Sequence, residues 1–394
     1  MSLVTRRGWG RSTLAIHGGH GIDAATGAVT TPIYATSTFA QPVAGEPGKW
    51  EYARSGNPTR AEFEQALADV EGGTRGFAFA SGLAAEATLL DLLPHGSNVV
   101  ASADVYGGTW RLLQRVRGPS AGLTVTWVDA TDPANVAAAI TPRTALVWVE
   151  TPGNPLLSVV DIAAVAAIAK AHKILLAVDN TFASPAVQRP LAHGADLVVH
   201  SVTKYIGGHS DLIAGAIVVG DNADLAERLG FLQNATGAVL DPFQSFLARR
   251  GLMTLELRVQ RHAANALAVA RLLDGNPRVR RVFYPGLPSH PHHDVVMRQM
   301  ENGGGMVTVE LADAAQARDF LGRLKLFHIA ESLGGVESLA GHPWTMSHAS
   351  VPEPQRVAAG VTPGLVRLSV GIEDEADLLG DIAAALGNTS GGVT

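Results

Sequence analysis

The chain has five lysines, Lys49, Lys170, Lys173, Lys204 and Lys325, and one of them sits where a reactive amine belongs. Lys204 follows the apolar run Asp196 to His200 in Ser201-Val202-Thr203-Lys204 and precedes Tyr205-Ile206-Gly207-Gly208. Ligands of open α/β sheets gather at the carboxyl ends of the strands, and a partly desolvated lysine there has the lowered pKa that carbonyl (Schiff-base) chemistry needs. On position alone, a solvated loop lysine is an equally good description. Asp179 shifts the balance. It ends the preceding apolar run, Ile174 to Val178, and stands before Asn180-Thr181. A turn or cap is the ordinary use of such an aspartate, but a carboxylate there can also hold a protonated ring nitrogen. A lysine and an aspartate closing successive strands form the arrangement that a pyridoxal phosphate site requires.

Such a cofactor needs its phosphate held. Ala80-Ser81-Gly82-Leu83 joins the apolar run Phe77 to Ala80 to a helical stretch, Ala84 to Leu93, and a helix amino terminus opened by glycine binds phosphate well. The hydroxyls of Ser201 and Thr203 can add donors. Ser81 is no nucleophile elbow, because Phe79 and Leu83 stand where that motif has glycine. Tyr106, just after the run Asn98 to Ala101, can stack on a flat ring. The histidine cluster His290-Pro291-His292-His293 is broken by proline and lacks helical ligand spacing, so no metal is expected. Neither a Walker A loop nor a strand followed by Gly-x-Gly-x-x-Gly occurs.

These residues need a scaffold, and the chain supplies an α/β rhythm from Thr59 to Gly220. Buried strands are expected at Asn98 to Ala101, Leu123 to Asp129, Ala145 to Glu150, Ile174 to Asp179, Asp196 to His200 and Ile213 to Val219. Each is too uniformly apolar to leave a face in water, which predicts a mostly parallel sheet between helices. Thr59-Arg60-Ala61-Glu62 reads as a capping box, with Phe63, Leu67 and Val70 on one helical face. Residues 1–58, rich in breakers, read as an extended arm; 59–258 as the cofactor-binding domain; 259–394 as a smaller α+β domain. In the last, strands are expected at Met306 to Leu311 and Val366 to Val370, with a closing helix Glu373 to Leu386; one long helical region, Phe243 to Leu273, leads into it.

Composition narrows the function classes. The 394 residues are 46% hydrophobic and carry a net charge of −6 with no block of either sign, which disfavours a nucleic-acid surface. The segment Met1 to Arg11 carries Arg6, Arg7 and Arg11 with no apolar core behind them, and no run is long enough to span a bilayer. With zero cysteines there is no disulfide framework and no thiolate site. A cytoplasmic enzyme without membrane or nucleic-acid partners is the expectation.

Together the motifs resemble the Cys/Met-metabolism family of pyridoxal phosphate enzymes, the fold type I (aspartate aminotransferase-like) group that holds the cystathionine γ-synthases, γ-lyases and β-lyases and the methionine γ-lyases. The resemblance runs from Thr13-Leu14-Ala15-Ile16-His17 through Glu51 to Thr59, Val178 to Pro185 and His200 to Lys204, ending in Val366 to Asp374. It implies pyridoxal 5′-phosphate as cofactor and Lys204 as the Schiff-base lysine. Asp179 would partner the pyridine nitrogen, Tyr106 would stack on the ring, and Asn154 would meet the phenolic oxygen. Gly82, Leu83, Ser201 and Thr203 would hold phosphate, and Tyr52 and Arg54 would reach the phosphate of a neighbouring subunit, implying at least a dimer and usually a homotetramer.

Arg367, with Ser332 beside it, looks like the grip on the substrate α-carboxylate. Glu331 resembles the γ-synthase and γ-lyase pattern, where β-lyases tend to carry tyrosine, and Arg111 matches another polar position of that pocket. The resemblance therefore implies cystathionine γ-lyase chemistry with hydrogen sulfide release from cysteine as a side activity. Cystathionine γ-synthase is the alternative, and a cofactor-binding protein without turnover is a further one. In the lyase scheme Tyr106, acidified by nearby cations, passes a proton to the leaving sulfur. Ala53, Gly153, Leu83, Trp110 and Trp344 depart from the commonest pattern, and the two tryptophans bear on substrate breadth.

Overall fold

The computed structural model describes residues 8–19, 21–349 and 351–387. Arg6 and Arg7 lie outside them. The larger sheet has seven strands: β1 (Arg75–Phe79), β2 (Asn98–Ser102), β3 (Thr124–Val128), β4 (Thr144–Glu150), β5 (Leu175–Asp179), β6 (Leu197–Ser201) and β7 (Gly215–Val219), in the order β1-β7-β6-β5-β4-β2-β3. Only β7 runs against the other six, pairing antiparallel with both β1 and β6. The sheet is thus mostly parallel, and its apolar strands are buried on both faces as expected, except β3, which lies at the sheet edge with its residues exposed or half-buried. Phe77, Leu146 and Val199 pack on one face, and Val147, Leu176 and Val178 on the other.

The second sheet holds β8 (Arg281–Phe283), β9 (Met306–Glu310), β10 (His328–Ile329), β11 (Leu339–Gly341) and β12 (Leu365–Ser369), in the order β10-β11-β12-β9-β8. All its pairings are antiparallel except β10 with β11. A closing helix, Glu375–Ala385, packs Leu378 and Ile382 into the core beneath it. The long helical region breaks into Pro242–Met253 and Leu255–Leu273 at Thr254, and Arg258 fills the corner by donating to the carbonyls of Gly251, Tyr205 and Ile206.

Two local readings of the sequence are corrected. The first concerns α2 (Pro58–Glu71): its cap is Asn57, not Thr59. The Asn57 side-chain Oδ1 accepts from the amides of Thr59 at 3.0 Å and Arg60 at 3.3 Å, with Pro58 pre-set at the first helical position. The Thr59 hydroxyl instead donates to the carbonyl of Pro32 and accepts the amide of Tyr34, tying the arm to the helix. Glu62 pairs with Arg249 rather than returning to Thr59. Asn57→Ala removes both cap bonds and the Asn57 Nδ2 bond to the carbonyl of Tyr34. The expected loss is about 2 kcal/mol, read as a lowered denaturation midpoint of the apoprotein, with Asn57→Asp recovering the cap.

The second correction concerns the arm, which contains a helix, α1 (Arg11–His17). Arg249, itself buried, donates to the carbonyls of Ala15, Ile16 and Gly18, so one guanidinium satisfies the carbonyls that end α1. Between Gly21 and Asn57 the arm has no helix and only isolated bridges, Thr38 with Tyr52 and Val43 with Glu46.

Candidate active site

The carboxyl ends of β4, β5 and β6 and the start of α3 (Gly82–Leu90) open into one cavity of about 690 Å³. Ser81 caps α3, its hydroxyl accepting the Ala84 amide at 3.1 Å. That leaves the amides of Gly82 and Leu83 ahead of the first intrahelical bond, at the cavity wall. The backbone can reach this place because Gly215, opening β7, has no side chain: a Cβ there would lie 2.2 Å from the Ser81 carbonyl oxygen. Ser201 and Thr203 line the same end. The Thr203 hydroxyl donates to the Ala214 carbonyl and accepts the Ala214 amide, which fixes its direction.

Lys204 enters from the turn after β6, and its Nζ lies 2.6 Å from Ser332 Oγ. Burial lowers its pKa to about 8, with the positive charge of Arg367 adding to the effect and Glu331 opposing it. The amine is therefore free above about pH 8. In the apoprotein, acylation of Lys204 is expected to rise through a midpoint near pH 8, followed by peptide mass spectrometry across a pH series. A midpoint at the ordinary lysine value would remove the desolvation argument. Ser332 itself has φ 91°, a left-handed conformation that a serine adopts only when its surroundings hold it there. Its carbonyl accepts from Arg367 Nη2 at 3.1 Å, while Arg367 Nη1 donates to Asn154 Oδ1 at 2.9 Å. Arg367 on β12 is 6% exposed, and burial lowers its pKa, so its remaining donors face the cavity from a dry wall.

Asp179 ends β5, and its Oδ1 accepts the Thr181 amide at 2.9 Å. The turn role and the cavity position coexist. Burial pushes its pKa up, and the Thr181 hydrogen bonds and the charge of His200 pull it back. The sequence did not single out two neighbours, Glu86 on α3 and Glu150 at the end of β4, which also line the cavity. Burial pushes both well above the usual carboxylate range, and Asp179 adds to each shift. The signal for Glu150 was available: it closes an apolar strand just as Asp179 does.

Tyr106 precedes α4 (Gly107–Arg111), with its amide donating to Glu150 Oε2 at 2.7 Å. Its ring folds back over the helix start, where a Cβ on Gly108 would lie 2.3 Å from Tyr106 Cε1. Acidification of this phenol is not what the surroundings produce. Desolvation raises its pKa, outweighing the opposing charges of Arg111 and Arg367, so at neutral pH Tyr106 holds its proton. Arg111, exposed at the end of α4, does not line the cavity and acts on the ring through its charge.

Glu331 and Ser332 line the cavity beside Leu333. Tyr52 and Arg54 do not. Arg54 donates to the carbonyl of Asn234 at 2.8 Å and stacks over the Tyr52 ring, which is 44% exposed. Trp110 and Trp344 also lie off the cavity wall. Trp110 packs in the core under Arg115, and Trp344 packs with Leu156 and Phe283 under Arg356. His290 is buried with its Nε2 on the Leu157 carbonyl, and burial lowers its pKa to about 4.

Residues 12–387 match the family model described as Cys/Met metabolism PLP-dependent enzyme. The chain is 53% identical over 375 residues to the cystathionine beta-lyase of Coxiella burnetii, covering 95% of this chain and 97% of that one. It is 54% identical over 381 residues to the cystathionine gamma-synthase of Mycobacterium tuberculosis, covering 96% and 97%. A solved cystathionine gamma-lyase from Lactobacillus plantarum, complexed with L-serine, superposes with a TM-score of 0.93 at 44% identity, covering 96% of this chain and 99% of the other.

Proposed function

We propose, for a chain that belongs to the Cys/Met metabolism family of PLP-dependent enzymes, that its reaction is γ-elimination of L-cystathionine to cysteine, 2-oxobutanoate and ammonia. The observation that carries this reading is the pairing of a buried guanidinium, Arg367, with an exposed carboxylate, Glu331, in one cavity. A long diamino dicarboxylate thioether suits that polarity. Its α-carboxylate would take the remaining donors of Arg367, and its distal ammonium would face Glu331.

The cofactor is pyridoxal 5′-phosphate, and the residues fit it. Gly82 lies so close to Ser201 that a Cβ would come 3.1 Å from Ser201 Cβ, so the helix start meets the Ser201 hydroxyl across a cradle that a side chain on Gly82 would fill. The amides of Gly82 and Leu83 with Ser201 and Thr203 would hold phosphate, Asp179 the pyridine nitrogen, and Asn154, whose Oδ1 is taken by Arg367, would offer its Nδ2 to the phenolic oxygen. When bound, the cofactor supplies an electron sink for the bonds broken next to the substrate amine. Among the described residues lining the cavity, the only arginine is Arg367. Tyr52 and Arg54 lie outside this chain's own cavity, an arrangement that suits service to a second copy, and we read the assembly as a homotetramer of such pairs in the cytoplasm.

The chain's own chemistry is proton movement. Lys204, with its amine free near pH 8, takes the proton from the substrate α-carbon and then moves one at the β-carbon. Ser332 Oγ holds Nζ on the cavity side between these transfers. Tyr106, which keeps its phenolic proton, donates it to the departing sulfur. Hydrogen sulfide release from cysteine would use the same groups on a shorter substrate.

A second reading, γ-replacement joining an O-acylhomoserine to cysteine, is favoured by the synthase name of the Mycobacterium relative. The Coxiella relative's name points to β-cleavage. The test gives the loaded enzyme L-cystathionine alone, then O-succinylhomoserine or O-acetylhomoserine with cysteine. Release of 2-oxobutanoate and cysteine is the expected result. Pyruvate and homocysteine would mean β-cleavage, efficient cystathionine formation with little cleavage would mean the synthase, and silence in every arm would leave a cofactor-binding protein without turnover.

A further inference from the structure

We propose that Glu150 is a positioning residue kept un-ionised, whose neutral carboxyl anchors the start of α4 and so fixes the ring of Tyr106 over the site. β4 and β5 run parallel with Glu150 opposite Asp179, so the two side chains leave neighbouring strand ends on one face of the sheet. Glu86 joins them from α3. The three are 3%, 7% and 4% exposed for Glu150, Asp179 and Glu86, and among the described residues none has an ion-pair partner.

Three negative charges cannot share one dry pocket, because the desolvation cost and the mutual repulsion reinforce each other. Asp179 has both Thr181 hydrogen bonds and the influence of His200 favouring its ionised form, whereas Glu150 has the Tyr106 amide alone against burial and three carboxylates. The proton therefore falls to its neighbours. The charged groups that act on Glu150 are Asp179, Asp104 and Glu86, with Arg367 the cation across the cavity. Burial and these carboxylates push Glu150 in the same direction, well above the usual range.

A neutral acid still serves the one contact that Glu150 makes with α4. Its Oε2 accepts the Tyr106 amide at 2.7 Å, and a carbonyl oxygen does this whether its partner atom is hydroxyl or amide nitrogen. Glu150→Gln preserves that acceptor and Glu150→Leu removes it. The role of Tyr106 rests on the function proposed above; the location of the proton does not.

The experiment measures the native protein and both variants. As apoproteins at neutral pH, they are compared for the infrared carbonyl band of an un-ionised carboxylic acid, which should weaken in Glu150→Gln. Loaded, Glu150→Gln is expected to keep kcat and KM for cystathionine within about threefold. Glu150→Leu is expected to lose about 10- to 100-fold in kcat/KM through a misplaced Tyr106. Equal impairment of the two variants, or an acid band untouched by Glu150→Gln, would overturn the proposal. If Glu150→Leu fails to fold, the Gln variant's band and kinetics decide. If the native enzyme does not act on cystathionine, the infrared comparison still decides the proton's place, which separates this inference from the reading of function.

Discussion

Lys204→Ala is expected to cut kcat for cystathionine cleavage by at least about 10³-fold, the scale lost when a positioned proton carrier is removed from two successive transfers. The side chain reaches the cavity from the turn after β6 and touches Ser332 Oγ, so truncation removes the amine without dismantling a strand. The cofactor should still enter, held by Gly82, Leu83, Ser201, Thr203 and Asp179, and equilibrium dialysis of the variant checks this. A small alkylamine added to the variant should restore part of the rate, more at higher pH, because only the unprotonated amine accepts a proton. Turnover within tenfold of native without added amine would end the role assigned to Lys204.

The second large effect belongs to Arg367. Its two observed bonds, to Asn154 Oδ1 and the Ser332 carbonyl, hold the guanidinium plane in place, and the donors left over match a carboxylate fork. Arg367→Lys keeps the charge and loses the fork. Hydrogen bonds to charged groups are worth about 1.5–3 kcal/mol each, so kcat/KM should fall about 10²- to 10³-fold. The fall should be absent for an inhibitor that lacks the α-carboxylate, and its dissociation constant across native and variant enzyme is the check. An equal loss for that inhibitor would mean Arg367 supports the wall through Asn154 and Ser332 rather than gripping substrate.

The residues that announced the site did so through strand ends. Asp179 is legible because it closes an apolar run and Lys204 because it follows the apolar core of the next strand, Leu197 to Val199, and the sheet then brings those ends to one edge. Glu150 obeys the same rule and passed unremarked, since a glutamate closing a strand has no chemistry attached until Asp179 stands opposite it. Thr59 was misread for a different reason. Asn57-Pro58-Thr59 holds two residue types that cap well; Pro58 at the first helical position favours Asn57 locally, and the distant bonding of Thr59 to Pro32 and Tyr34 settles it. The protonated phenol of Tyr106 was likewise out of reach. Nearby arginines can be guessed from spacing, but how far burial outweighs them depends on the ring's packing over Gly108.

The place of β7 in the sheet has a bearing on how the protein is made. β1 has no sheet neighbour until β7 arrives, and Thr74 at its foot bonds to the carbonyl of Val219, 145 residues later. At about 5–20 residues per second, a ribosome takes roughly 7 to 30 s to supply that partner. Meanwhile β1 has no strand beside it, and Gly215, against which the Ser81 turn packs, is still to come. Arg367, 148 residues beyond Val219, joins the cavity later still. A chain stopped before Gly215 therefore has neither the partner of β1 nor the glycine that lets the Ser81 turn pack, so the cavity takes shape only after β7 and β12 are made.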